Sequence, residues 1–94
     1  MSWRNRPSLE QLPAWTALLA HHQQRFAGPD AFDLREVADD AGRVQQLGVE
    51  APQLFADLSR NRIDAQAQAL LTELARQAGL AAHRDAMLTG EPVN

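Results

Sequence analysis

Arg60, Asn61 and Arg62 are the one polar cluster in this chain whose residue types invite a chemical reading, because two guanidinium groups side by side can clasp a phosphate. No glycine-rich cradle accompanies them, and Asp57 and Asn61 are types that bond to neighbouring backbone. A structural role, pinning the turn into the next helix, is therefore favoured. His21 and His22 are adjacent, so on a helix their side chains diverge by about 100° and do not chelate one ion together. His22 falls on the apolar face with His21 beside it, and neither has a Cys, Asp or Glu at ligand spacing. His83 stands alone, with no nucleophile visible for it to serve. Asp39 with Asp40, and Asp30 with Asp33, could be acid-base pairs only if their surroundings separated their pKa values. They lie beside Gly, Pro and helix starts, where Asp accepts from orphan amides, so capping is the expected role. Trp15 and Phe26 recur with leucines at helical spacing and read as core rather than as a stacking platform. No catalytic, cofactor-binding or metal-ligating residue is assigned from this inventory.

The elements that would position these groups are mostly helices. Leu12, Trp15, Leu18, Leu19, His22 and Phe26 follow three- and four-residue steps, which predicts a helix from Leu9 or Pro13 to Phe26 with that face inward. Ser8 and Gln11 have capping-box spacing at its start, and Gly28-Pro29 ends it. Asp33 and Glu36 repeat that spacing ahead of a short helix bearing Leu34 and Val37, and Arg43 to Leu47 allow one more turn after Asp39-Asp40-Ala41-Gly42. Gly48-Val49-Glu50 and Gln53-Leu54-Phe55-Ala56-Asp57 flank Ala51-Pro52 as a hairpin. Asp64 then caps a helix whose Ala67, Leu70, Leu71, Leu74 and Ala78 continue the face begun by Ile63, with Leu70, Leu71 and Leu74 the least accessible run and Gly79 the left-handed stop. A last helix, Leu80 to Thr89, would turn Leu80, Met87 and Leu88 inward and close at Gly90, with Pro92 forcing an extended exit.

Composition narrows the class. The 94 residues carry 9 basic and 12 acidic side chains for a net charge of −3, which argues against a surface that neutralises a phosphate backbone and hence against a nucleic-acid partner. With no Cys there is neither a disulfide framework nor a thiolate nucleophile, which fits a reducing compartment. No stretch approaches the roughly 20 apolar residues of a membrane span, nor is there a signal-peptide core at the start. A chain of this length buries only about two thirds of its unfolded surface, so its core should be thin. The expected class is mainly α with a small β-hairpin, residues 1–7 a flexible N-terminus and 8–94 one helical segment.

Three stretches together carry a family resemblance: Leu12-Pro13-Ala14-Trp15, then Asp57-Leu58-Ser59-Arg60-Asn61-Arg62-Ile63, then Gly90-Glu91-Pro92-Val93-Asn94 after Met87. In this order the chain resembles the N-terminal segment of the phosphoglucose isomerase family, which has Asp-Tyr-Ser-Lys-Asn-Arg-Ile and Gly-Glu-Pro-Ile-Asn in the corresponding places. Leu58 stands where the family has Tyr and Arg60 where it has Lys. The resemblance implies a parent enzyme of glycolysis and gluconeogenesis, a cytoplasmic homodimer of two α/β domains without metal or organic cofactor. That enzyme interconverts glucose 6-phosphate and fructose 6-phosphate through an enediol. Its base, ring-opening groups and phosphate loop all lie beyond Asn94 in family order, so the resemblance carries no site residue onto this chain. It implies an inactive, structural segment that precedes and packs on the α/β domains and that, alone, could self-associate. The alternative is an independent small helical interaction module without catalytic activity.

Overall fold

The computed structural model describes residues 7–92, and the flexible stretch expected over 1–7 lies outside these except for Pro7, as do Val93 and Asn94 of the last motif. A 3₁₀ turn at Leu9–Gln11 leads into α1 (Pro13–Arg25), followed by α2 (Leu34–Val37), α3 (Ala41–Leu47), β1 (Gly48–Ala51), β2 (Leu54–Asp57), α4 (Ala65–Gln77) and α5 (Leu80–Leu88). The two strands form one antiparallel hairpin, pairing Gly48 with Asp57 and Ala51 with Leu54. The mainly helical class with a small hairpin is thus borne out.

Local chemistry sets most boundaries. Pro13 opens α1 where a missing amide costs nothing, behind an extended Leu12. Ser8 makes no side-chain cap, so the box expected with Gln11 does not form; the Gln11 amide bonds instead to the Ser8 carbonyl. Phe26 closes α1 by donating to the His22 carbonyl, and Gly28 follows at φ +89°. The Asp33 carboxylate accepts from the Arg35 amide at 2.9 Å and is also clasped by the Arg35 guanidinium, so the short helix forms as expected. Asp40 accepts from the Gly42 amide at 3.0 Å, which starts α3 at Ala41, earlier than the single turn expected from Arg43. The hairpin turn sits at Pro52-Gln53, one residue later than Ala51-Pro52, with Gln53 at φ +63°. That is the dihedral a type II turn demands of the residue after Pro. Gly48 is fixed by contact: a Cβ there would lie 2.7 Å from Phe55 Cζ and 2.8 Å from the Val44 carbonyl oxygen. Asp64 caps α4 through the Ala67 amide at 2.7 Å, and Gly79 at φ +81° separates α4 from α5, both as expected.

The core is thin, and half of its apolar members are alanine: Leu12, Ala14, Phe32, Leu47, Ala67 and Ala86, with Leu47 alone wholly enclosed. α1 and α4 make the most extensive helix pairing and run antiparallel. Gln77 Oε1, oriented by its own bond to Glu73, accepts the Ala14 amide at 2.9 Å at one end, and His21 meets Asp64 at the other. Three burial expectations fail, each in the same way. On α1 the face against α4 is Ala14, Leu18 and His21, while Leu19 and His22 are exposed and Trp15 half-buried. On α4 the enclosed residue is Ala67; Leu70 and Leu74 are half-buried and Leu71 is exposed. On α5 Ala86 points inward and Leu80, Met87 and Leu88 point out. Close antiparallel packing of α1 on α4 selects small side chains at the contact, and the bulkier stripes are left on the surface.

The result is a slab of 45 × 36 × 17 Å. Its radius of gyration of 16.3 Å exceeds the about 12 Å of a compact chain this long. Its 7213 Å² of accessible surface is roughly a third above the about 5,400 Å² typical of a monomer of this mass.

Candidate functional site

The strongest concentration of polar chemistry lies where the end of α1 meets the start of α4. His21, 4% exposed, points its Nε2 at both Asp64 oxygens, at 2.8 and 2.9 Å. An ionised carboxylate only accepts, so Nε2 carries the proton. Asp64 is held by three partners at once. Burial pushes its carboxyl up, but the Ala67 amide, the His21 ring and the Arg25 guanidinium 3.7 Å away together bring it below the ordinary 3.8. A carboxylate so committed is a cap and a clamp, with its lone pairs aimed at protein donors.

A groove of about 280 Å³ opens beside this pair, lined by Leu18, His21, His22, Phe26, Arg62, Ile63, Ala67 and Leu71. Phe26 stacks on His22 at 6.5 Å, meets His21 edge-on at 5.7 Å and lies 5.2 Å from Phe32. Arg62 covers the Phe26 ring at 5.6 Å and donates to the Phe26 carbonyl at 3.1 Å, while Arg25 sits over Phe32. A second, smaller depression of about 230 Å³, between Trp15, Leu18, Leu19 and His22, continues the first along α1.

The Arg60-Asn61-Arg62 cluster does not present two free guanidinium groups side by side. Arg62 donates to the Phe26 and Phe32 carbonyls, and Arg60 is exposed and lines a separate depression with Asp57 and Ser59. Asp57 pins the turn by accepting the Ser59 amide at 2.9 Å, and the Ser59 side chain together with this amide lowers its carboxyl pKa. The residue that organises this loop is one the sequence reading passed over. Arg43, 7% exposed, reaches from α3 to donate to the carbonyls of Ser59, Asn61 and Ile63 at 2.7, 2.8 and 2.5 Å. It was visible only as the single charged residue of α3, and nothing in the spacing tied it to a loop 16 residues on.

The remaining candidates are scattered. Asp33 and Asp40 cap helices, Asp30 and Asp39 are exposed, and His83 is half-buried on α5. Among the described residues no three His, Asp or Glu side chains converge as a metal site, and no helix is long and apolar enough to cross a membrane. What the groove offers is an apolar, cation-edged cleft without an activated base or nucleophile.

Comparison with known proteins agrees with the motif reading. The chain is 50% identical over 91 residues to the glucose-6-phosphate isomerase of Leptothrix cholodnii, covering 96% of this chain and 16% of that protein. Glucose-6-phosphate isomerases of Methylibium petroleiphilum and Polaromonas naphthalenivorans are 52% and 51% identical over 86 residues, again across 90% of this chain and 15% and 16% of theirs. The resemblance to glucose-6-phosphate isomerase therefore holds across almost the whole chain, which spans about one sixth of the length of the curated relatives it matches. No family model matches the chain. No solved structure matches it.

Proposed function

We propose that residues 8–94 are the N-terminal, structural segment of a glucose-6-phosphate isomerase, an enzyme that reversibly converts glucose 6-phosphate to fructose 6-phosphate. The observation that carries this reading is identity near 50% across at least 90% of the chain to three relatives of that name. The geometry supports a non-catalytic share in the reaction. Moving a proton between adjacent carbons needs a base free to reach substrate. Here His21 and Asp64 are spent on each other and on a helix cap. In this reading the whole enzyme is a cytoplasmic homodimer with two α/β domains, and this slab is a helical layer laid against them.

Two measurements test the reading. A coupled assay on the 94-residue chain should detect no turnover of either sugar phosphate. A full-length chimera, in which this chain replaces its counterpart in the Leptothrix cholodnii enzyme, should be an active isomerase. Turnover by the chain alone, or a folded chimera without activity, would overturn it.

A further inference from the structure

The apolar stripe of α1 is real but faces the wrong way for a self-sufficient domain. Trp15, Leu18, Leu19 and Phe26 continue across the groove to Leu71 and Ile63 of the α4 side, so that the two adjoining depressions form one strip. From residue 15 to residue 26 the strip is about 16 Å long at 1.5 Å per residue, or three helical turns. Its floor offers almost nothing polar, so an occupant must satisfy its own backbone hydrogen bonds, which a helix does and an extended segment does not. One end is cationic. The groove lining holds Arg62, which Asp33 partly offsets, and no carboxylate; Arg25 beside it is half exposed, and Asp64, 3.7 Å from it, is shared with His21. The surplus surface of the slab is of the order that an obligate interface buries.

We propose that this α1–α4 strip seats an amphipathic helix from the part of the isomerase outside these 94 residues. Its apolar side chains, one to two turns apart, fill the two depressions, and a carboxylate at its end lies over the half-exposed Arg25. The inference rests on the isomerase reading and adds to it which face of the slab is covered and by what.

The test uses the active full-length chimera. The 94 residues contain no Cys, so single cysteines report on the strip and can be followed by peptide mapping. Leu19→Cys and Leu71→Cys probe the strip, and Ala20→Cys probes the exposed back of α1. Maleimide labelling of the two strip positions should be at least tenfold slower in the chimera than in the 94-residue chain, with Ala20→Cys slowed far less. Strip cysteines that label in an active chimera as fast as in the short chain would overturn the inference while leaving the isomerase reading intact. An inactive chimera would count against that reading instead. Protection of the strip cysteines that is lost when the chimera is diluted from dimer to monomer would assign the strip to a second copy and also overturn the proposal.

Discussion

Replacing Asp64 by Ala should cost this fold a large part of its stability, because one carboxylate serves two elements. Losing the cap on α4 leaves the Ala67 amide without its acceptor, worth about 1 kcal/mol in typical helices. Losing the partner of His21 leaves a ring nitrogen unsatisfied in a side chain only 4% exposed, which costs about 1–3 kcal/mol. The sum, about 2–4 kcal/mol, compares with a total of roughly 5–14 kcal/mol for a chain this long. At about 4–8 °C per kcal/mol for small domains, the midpoint of thermal unfolding should fall by about 8 °C or more. Asp64→Asn keeps a good cap but not the charge, so it should lose distinctly less.

Circular dichroism melts of the two variants, with His21→Ala and the double mutant, complete the cycle. A coupling energy below about 0.3 kcal/mol would mean that the two sites act independently and would refute the clamp. The pH dependence has a definite sign. Asp64 ionises more readily folded than unfolded, so its contribution is complete above the ordinary 3.8 and is lost as pH falls from there through the lower folded value. Acid unfolding of the parent should therefore be steeper below about pH 4 than that of Asp64→Asn, and identical acid profiles would refute the assignment.

Gln53→Gly should raise stability by up to about 1 kcal/mol, read from the denaturant midpoint, because Gln holds a left-handed φ of +63° that costs a side-chain-bearing residue about that much. Gly48→Ala should destabilise by about 1–3 kcal/mol, since the added methyl meets both the Phe55 ring and the Val44 carbonyl. Arg43→Leu should cost about 3 kcal/mol or more and speed proteolysis within 59–63, because it strands three carbonyls that share one guanidinium.

What the sequence disclosed was decided locally. Asp33, Asp40 and Asp64 announce helix starts because an Asx side chain bonds amides two or three residues on, and Gly79 and Gly90 announce stops because their φ values of +81° and +84° suit glycine. The hairpin was legible from its apolar flanks and displaced by one residue because Pro52 takes the first turn position and Gln53 the second. Arg43 and the His21–Asp64 clamp were not legible, since their partners lie 16 to 43 residues away and no periodicity encodes such a distance.

The misplaced faces of α1, α4 and α5 have one physical origin. Periodicity reports that a helix has an apolar stripe, not which neighbour the stripe meets. In a finished two-layer domain the two questions have one answer, because the only apolar environment is the core. In this slab they separate. α1 and α4 approach through Ala14 and Ala67, where small side chains allow a close pairing, while Leu19 and Leu71, 50% and 45% exposed, stay outside. Each large residue that the sequence placed inward and the fold turns outward marks surface whose burial would require another layer. In the isomerase reading proposed above, the apolar contacts of the covering layer should fall on Trp15, Leu19 and Leu71 rather than on the hydrogen-bonded loop organised by Arg43.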